Sequence, residues 1–130
     1  MHLEEITTTF SADPRNLAGI RAFAREGAER LGASVDLEVL AVVVGELAAN
    51  AVLHQDGQAV VTVRRLDDGA LQVEVCDEAP GVPELVEHDT WALGGHRGIQ
   101  LVAALADEWG VEPEPVGKRV WARLPRLAEV

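Results

Sequence analysis

The stretch VVVGELAANAVLH, Val42 to His54, carries the pattern that decides the fold of this chain. It reads as an apolar helix, yet Glu46 and Asn50 stand four residues apart within it. Four residues make about one helical turn, so the two side chains project from one face. A carboxylate and a carboxamide are costly to bury without partners. Oxygen atoms so placed can bind Mg²⁺, although helix periodicity alone favours a solvated polar stripe.

A second informative stretch, LQVEVCDEAPG from Leu71 to Gly81, is a short apolar run that ends in an acid. The run predicts a strand, and Asp77 stands at its end beside a Pro-Gly turn. A carboxylate in that position can accept a hydrogen bond from an amine of a ligand. Possible Mg²⁺ ligands at Glu46 and Asn50, together with an acceptor for a ligand amine at Asp77, predict a nucleotide-binding site.

Length and charge restrict the classes of protein to which the chain can belong. The 130 residues suffice for one domain, predicted to span 1–130, and are too few for two. The formal net charge of −11 argues against direct binding of nucleic acid or of an anionic membrane, because both need a basic surface. It does not exclude ATP, whose charge is met locally by Mg²⁺, helix N-termini and one or two cations.

Cysteine content and hydropathy predict a cytoplasmic location. The single cysteine, Cys76, excludes an internal disulfide and any metal site made of several cysteines. The N-terminal segment lacks the apolar core of a signal peptide, and no stretch approaches the roughly 18 uninterrupted apolar residues of a membrane span. We therefore predict a cytoplasmic protein with no membrane partner.

Turn and periodicity signals divide the chain into short elements and one long loop. Asp67-Asp68-Gly69 is a hairpin signal, and the segment 78–97, with two prolines and three glycines, predicts a functional or mobile loop. The predicted elements are a strand over 5–10, helices over 14–31 and from 34 or 36 to 54, strands over 59–66 and 71–77, a helix over 98–107, and strands over 108–112 and 119–124. This order predicts an α+β fold, a single-layer mixed or antiparallel sheet packed on one face by about three helices.

Apolar stripes predict which side of each helix faces the core. The stripes of the first two helices are Leu17, Ile20, Phe23 or Ala24, Ala28 and Leu31, followed by Leu40, Val43, Val44, Leu47 and Ala51. Trp109 and Trp121 are predicted to lie in the core or on a sheet face. Lys118 and Arg119 stand at a predicted turn edge, where solvation is expected and a phosphate contact is the alternative.

Four segments, in order along the chain, resemble the superfamily of histidine-kinase-like ATPases, which contains gyrase, heat-shock chaperone, histidine kinase and mismatch-repair ATPases. ELAANAVLH is similar to the N-box, E-x-x-x-N-A-x-x-H, and DEAPG from Asp77 to Gly81 is similar to the first glycine box, D-x-G-x-G. HRGIQLVAALADEWGV (96–111) is similar to the second box and its helix, and GKRVWARL (117–124) is similar to the closing strand. The resemblance is closest to the small bacterial anti-sigma-factor serine kinases.

This resemblance implies an ATP-binding α/β sandwich in which the N-box helix supplies both a metal ligand and the general base. Asn50 would ligate Mg²⁺ through its amide oxygen. Glu46 would orient or activate the attacking hydroxyl or water as general base. Phosphoryl transfer asks mainly for positioning and charge neutralisation, which these two side chains can provide.

The resemblance also implies how the glycine boxes would bind the nucleotide. Asp77 would accept a hydrogen bond from the adenine amino group, and Gly81 would let the backbone pass close to the base. The loop over 84–97 would be a lid. Arg97 and Gly98, at the start of the following helix, would present backbone N–H groups to phosphate.

Two positions depart from the family pattern. Ala79 stands where the first box has its first glycine, and a methyl group there crowds the nucleotide unless the backbone keeps a negative φ. His96 stands where the second box commonly has glycine, and a bulky residue in a phosphate loop can block close approach of the backbone. These departures leave ATP affinity and turnover open, but they do not affect the predicted fold.

Three functions remain compatible with the sequence. The first is an anti-sigma-factor-like kinase that uses Mg-ATP to phosphorylate a serine of a small antagonist protein and that sequesters a sigma factor or similar target. The second is a catalytically degenerate partner-switching module with weak or no ATP binding. The third, a detached histidine-kinase ATPase domain, is disfavoured because no phosphoacceptor histidine helix pair precedes it.

The resemblance further implies a partner surface on the first helix. Arg21 and Arg25 are candidate contacts there, although such a row of arginines is usually a solvated face. A homodimer is also expected from the resemblance, together with the apolar N-terminal strand.

Overall fold

The described residues form a five-stranded antiparallel sheet with three helices packed on one face. The structure, a computed structural model, describes residues 4–11, 13–54, 57–77, 96–115 and 117–128. Along the chain these residues form β1 Glu5–Ser11, a 3-10 turn Pro14–Asn16, α1 Leu17–Arg30, α2 Leu37–His54, β2 Gln58–Arg65, β3 Leu71–Asp77, α3 His96–Leu105, β4 Glu108–Pro113 and β5 Lys118–Leu124. The predicted α+β class and the predicted order of elements are confirmed.

β3 is the central strand of the sheet, whose order is β1-β2-β3-β5-β4. Every pair of neighbouring strands is antiparallel, which narrows the predicted mixed or antiparallel sheet to an antiparallel one. The predicted hairpin joins β2 to β3, and Gly69 adopts a φ of +88° in its turn. β3 and β5 are neighbours although α3 and β4 lie between them in sequence. The end of β3 therefore meets the start of β5.

Two aspartates begin the helical segments that pack on the sheet. The Asp13 carboxylate accepts a hydrogen bond from the Arg15 N–H at 2.8 Å, at the start of the 3-10 turn. The Asp36 carboxylate accepts hydrogen bonds from the N–H groups of Glu38 and Val39 at 3.0 and 3.1 Å, at the start of α2. These N–H groups have no partner within the helix, so the aspartates fix where each helical segment begins.

The core lies between the sheet and the apolar stripes of α1 and α2, as predicted. The buried members of these stripes are Ile20, Ala24, Ala28, Leu31, Leu40, Val43, Val44 and Leu47. They pack against buried side chains of the three inner strands, among them Val61, Val63, Val73, Val75, Val120 and Leu124. The side chain of Ala51 lies outside the described part of the chain. None of the described helices is long and apolar enough to cross a membrane.

The two described tryptophans lie on sheet faces and not in the core. Trp109 is 36% exposed, because β4 is an edge strand with a neighbour on one side only. Trp121, on β5, is half-buried and lies across Gly110 of β4. The alternative of burial in the core is therefore excluded for both residues.

α3 begins at His96, two residues earlier than the predicted start at Gly98. Gly98 lies inside the first turn, where a glycine costs a helix only about 1 kcal/mol and so does not mark its start. Residues 96 and 97, the last two of the predicted lid over 84–97, are helical. The remainder of the predicted lid, 84–95, lies outside the described residues.

The sheet face opposite the helices carries a row of alternating charges with one member on each strand. Glu74, on the central strand β3, is only 4% exposed. Its carboxylate accepts hydrogen bonds from Arg64 on β2 at 2.6 Å and from Arg119 on β5 at 3.4 Å. Arg64 in turn pairs with Glu5 on β1, and Arg119 pairs with Glu112 on β4. Opposite charges on neighbouring strands stabilise the pairing of those strands.

Candidate functional site

The polar stripe of α2 lies at the margin of the core. Leu47 and Ala48 are buried, whereas Glu46 and Asn50 are each half-buried. α2 packs against α1 and α3 on its sides and against β3 and β5 beneath it. The carboxylate and the carboxamide are thus held by a rigid helix and still have access to a ligand.

The chain topology brings the C-terminal half of α2 and the end of β3 to the same end of the sheet. β2 begins at Gln58, only four residues after α2 ends at His54, and Ala59 of β2 pairs directly with Asp77. An extended chain spans at most about 3.6 Å per residue, so the end of α2 stays near Asp77. Of the predicted site residues, Asp77 ends β3 and Asn50 lies about one turn before the end of α2, so both belong to this end of the sheet, and Glu46 lies one turn before Asn50.

The carboxylate of Asp77 is already bound by the chain itself. Lys118 is the residue directly opposite Asp77 in the β3–β5 pairing. Its ammonium Nζ lies 2.6 Å from Asp77 Oδ2, and its backbone N–H donates to Oδ1 at an N···O distance of 3.3 Å. Both residues are buried, Asp77 at 3% exposure and Lys118 at 9%. The expectation that Lys118 is solvated at a turn edge is therefore wrong.

Gly117 allows this close contact between β5 and Asp77. Its φ is +78°, in the left-handed region that favours glycine. A Cβ at this position would overlap the Asp77 carbonyl oxygen and would lie 2.8 Å from Asp77 Oδ1. Sequence reasoning missed the pair because the register between β3 and β5 joins residues 41 positions apart. The one available signal was the chain's single lysine, which directly follows a glycine.

The remaining predicted nucleotide contacts are only partly described. Gly81, together with Ala79, lies outside the described residues. Arg97 and Gly98 are in the first turn of α3, and the structure describes their backbone only. A helix N-terminus carries partial positive charge and free N–H groups, which favour an anion. The position of Arg97 and Gly98 is therefore compatible with a phosphate contact.

Arg21 of α1 crosses α2 at Gly45, the residue directly before Glu46. Its Nε lies 2.6 Å from the position that a Cβ of residue 45 would occupy. Among the described residues, no carboxylate pairs with this guanidinium. The glycine thus lets a positive charge lie against the helix that carries Glu46. Arg21 and Arg25, the two candidate contacts in the arginine row, are both half-buried, so neither is a fully solvated side chain.

The donor set at this end of the sheet fits magnesium bound together with a phosphate ligand. No group of three or more His, Cys, Asp or Glu side chains is placed to hold a metal ion in the part of the chain that the structure describes. Mg²⁺ usually keeps several waters and takes one or two protein oxygens plus substrate phosphates. The half-buried amide of Asn50 can supply one such oxygen.

A cleft of about 310 Å³ lies at the opposite end of the sheet, near the β2–β3 hairpin. Arg65 and Arg126 line it together with Asp67 and Asp68, so its charges compensate each other. It is separate from the Asp77 end and includes none of the predicted site residues.

Comparison with known proteins identifies the fold and the family. Residues 10–124 match the family described as the histidine kinase-like ATPase domain. The structure resembles that of the RsbU and RsbW domains of Rv1364c from Mycobacterium tuberculosis, with a TM-score of 0.67 and 20% identity over 95% of this chain and 33% of that chain. It also resembles the histidine kinase domain of the blue-light activated histidine kinase from Erythrobacter litoralis EL346, with a TM-score of 0.54 and 24% identity over 87% of this chain and 60% of that chain. Among curated proteins, no sequence matches the chain.

The two structural matches show the fold, and the family match covers most of the sequence. The chain spans about a third of the length of the first solved structure and 60% of the second. The predicted histidine-kinase-like ATPase α/β sandwich is confirmed. From residue 10 to residue 124, this chain belongs to the family of histidine kinase-like ATPase domains.

Proposed function

We propose that this domain binds Mg-ATP at the Asp77 end of the sheet and acts as an anti-sigma-factor-like regulatory serine kinase. The observation that supports the proposal is the short connection from α2, which bears Glu46 and Asn50, to β2, whose Ala59 pairs directly with Asp77, the buried carboxylate at that end of the sheet. A nucleotide needs one place for its base and another for its phosphates and metal. Membership of a family of ATPase domains supports ATP as the ligand.

Asn50 is the proposed protein ligand of Mg²⁺. Its side chain is half-buried on a rigid helix, so its amide oxygen has a fixed position and stays accessible. When bound, Mg-ATP supplies the phosphoryl group and the metal charge that neutralises it. The protein then needs to contribute only a few oxygen atoms.

Glu46 is the proposed general base. It lies one helical turn before Asn50, which puts its carboxylate on the same side of α2 as the metal ligand. It would take the proton of a serine hydroxyl while the new oxygen–phosphorus bond forms and the bond to the leaving ADP breaks. Because Glu46 is half-exposed, a serine presented by another protein can reach it.

Asp77, Gly81, Arg97 and Gly98 are the proposed nucleotide contacts. Asp77 would accept a hydrogen bond from the adenine amino group, since a carboxylate offers about four lone-pair sites and the Lys118 contacts use two. Gly81 would let the backbone approach the base. Arg97 and Gly98 would present N–H groups of the first turn of α3 to phosphate.

The proposed partners are a sigma factor or similar target and a small antagonist protein that is phosphorylated on serine. The likeness in fold to a chain with an RsbW domain supports such a partner-switching role. Arg21, which lies beside the α2 segment that carries Glu46, is a proposed partner contact. Phosphoserine carries nearly two negative charges, so a protein of net charge −11 would release the phosphorylated antagonist. We include a cytoplasmic location and a homodimer in this proposal.

Transfer of label from γ-phosphate-labelled ATP to candidate antagonist proteins tests the kinase. We expect label on serine with the wild-type protein, and its loss in Glu46→Ala and Asn50→Ala. Glu38→Gln is the matched control, because Glu38 is an exposed glutamate on the same helix. Labelling by Glu46→Ala at the full rate would remove Glu46 from the mechanism.

A partner-binding module without catalysis is the second candidate function. It is favoured by the Lys118 ammonium on Asp77, which occupies part of the proposed base site. Ala79 also favours this function, because it replaces a glycine of the family pattern and its methyl group would crowd a nucleotide. Capture of a target protein without nucleotide, combined with no label transfer to any antagonist, would favour this function over the kinase.

A further inference from the structure

Lys118 stands out because it is the only lysine in a chain whose other cationic side chains at neutral pH are all arginines. It is buried at the end of the sheet and not exposed on its surface. A lysine ammonium is a compact point charge with three N–H donors on a flexible stem, whereas arginine presents a planar fork. The chain therefore uses its single compact cation at the residue opposite Asp77.

The Asp77–Lys118 pair has unused hydrogen-bonding capacity. One of the three ammonium donors is directed at Asp77 Oδ2, and about two of the four lone-pair sites of the carboxylate remain open. Both side chains stand on the sheet face that carries the helices, at the end where α2 finishes. The remaining donors and lone pairs give the pair one donor and one acceptor that a ligand can use.

We propose that Lys118 is a second base-reading residue, whose ammonium donates to ring nitrogen N1 of adenine while Asp77 accepts from the adjacent amino group. This inference rests on the proposed nucleotide site. The acceptor and the donor lie 2.6 Å apart, which suits neighbouring hydrogen-bonding atoms on one edge of a base. N1 is attached to the same carbon as the amino group, whereas N7 is one bond further away. The short spacing therefore favours N1.

The opposite possibility is that Lys118 blocks the site by holding the carboxylate that the base needs. The two possibilities predict opposite effects of removing the ammonium. If Lys118 reads the base, Lys118→Met weakens the binding of ADP and reduces the difference in affinity between ADP and an analogue that lacks N1. If Lys118 blocks the site, the same variant binds ADP more tightly.

Titration calorimetry with Mg-ADP, Mg-1-deaza-ADP and Mg-7-deaza-ADP tests the proposal. We expect the wild-type protein to bind 1-deaza-ADP about tenfold more weakly than ADP or worse, the usual effect of losing one hydrogen bond to a charged group. The 7-deaza analogue should bind within about threefold of ADP. In Lys118→Met the difference between ADP and 1-deaza-ADP should shrink to about threefold or less.

The wild-type series keeps the proposal falsifiable even if Lys118→Met does not fold. A second readout uses the single lysine: expression with ¹³Cε-labelled lysine gives Lys118 the one lysine signal in the NMR spectrum and leaves its three N–H donors intact. The lysine signal should shift on addition of ADP, and much less with 1-deaza-ADP.

The outcomes separate this inference from the proposed function. Equal binding of ADP and 1-deaza-ADP by the wild-type protein, a loss confined to the 7-deaza analogue, or tighter binding of ADP by Lys118→Met would overturn the role of Lys118. Absence of ADP binding to the wild-type protein would overturn the nucleotide site itself.

Discussion

Gly117 shows how one residue without a side chain sets the geometry of the proposed site. Its positive φ and its close approach to Asp77 let the β5 strand start against the end of β3. That approach brings both the backbone N–H and the ammonium of Lys118 to one carboxylate. A side chain at 117 would separate these groups.

We predict that Gly117→Ala destabilises the protein by about 3 kcal/mol or more, because left-handed strain adds to overlap with Asp77. Gly32→Ala is the matched control. Gly32 also has a positive φ, +70°, but nothing lies within 4 Å of the Cβ it would gain, so only the strain of about 1–2 kcal/mol remains. Urea unfolding of both variants measures the difference. Equal losses of stability would show that the contact with Asp77 has no effect.

The thiol of Cys76 gives a prediction for alkaline pH. Burial, reinforced by the charge of Glu74, raises the pKa of Cys76 to about 11. In the unfolded chain a thiol titrates near pH 8.5. Folding thus favours the neutral thiol, and its contribution to stability is full below about pH 8.5 and is lost as the pH rises toward 11. Between those values the stability of the wild-type protein should fall relative to Cys76→Ser, which does not titrate there. Urea midpoints from pH 7 to 11 check this, and parallel curves would contradict it.

Some residues of the site could be predicted from sequence, and others could not. Glu46 and Asn50 share a local helical spacing, and Asp77 ends an apolar run, so short-range rules are enough to propose all three as candidates. The pairing with Lys118 depends on the register of two strands far apart in sequence, and no local pattern encodes it.

The packing of α1 against α2 depends on Gly45 as well as on the apolar stripes of the two helices. The guanidinium of Arg21 lies where a Cβ of residue 45 would point. A glycine inside a helix normally costs about 1 kcal/mol relative to alanine. The packing of Arg21 across the helix offsets that cost.

A double-mutant cycle should reveal this coupling. Gly45→Ala should gain little or lose stability in the wild-type protein, because the new methyl displaces Arg21. In an Arg21→Ala background the same change should stabilise by about 1 kcal/mol. Gly27→Ala in α1 is the control, since its new Cβ would lie at an ordinary 3.6 Å from Val63. Its effect on stability should be the same in the wild-type protein and in the Arg21→Ala background. Additive effects of Gly45→Ala and Arg21→Ala would contradict the coupling.

The charged row on the open sheet face ties the strands together through Glu74. We predict that Glu74→Gln costs about 2 kcal/mol, because the buried carboxylate compensates both Arg64 and Arg119. These arginines are partly exposed, which keeps the loss below that of a fully buried pair. Glu5→Gln, at the exposed end of the row, should cost less than about 0.5 kcal/mol. Thermal unfolding measures both, and similar losses would show that burial of Glu74 is irrelevant.

At the level of elements, sequence reasoning found every strand and helix described here but misplaced several ends. The sequence offered two possible capping residues for the start of α2, Ser34 and Asp36, and in the structure Asp36 caps the helix. α3 began earlier than expected, because a glycine in a first turn does not stop a helix. The strand order also could not be read from the sequence, since β5 pairs with β3 across an intervening helix and strand.

Among the described residues, a chain of net negative charge carries one buried ion pair, Asp77–Lys118, on the sheet face that packs against the helices. The net charge is −11, and α2 packs against the neighbouring strands β3 and β5. The motif order along the chain made the family predictable, because four short segments had to agree at once. The occupancy of Asp77 by Lys118 was not predictable, and it bears most directly on how a nucleotide would bind.

The unfolding temperature measured with increasing Mg-ADP tests the central proposal, a nucleotide site formed by Asn50 and Asp77, most directly. A ligand that binds only the folded state stabilises it by about 2.7 kcal/mol at a concentration one hundred times its Kd. We predict a concentration-dependent rise for the wild-type protein and a much smaller rise for Asn50→Ala and Asp77→Asn, each compared with its own ligand-free value. No rise at millimolar Mg-ADP, or an equal rise in all three proteins, would contradict the proposed site.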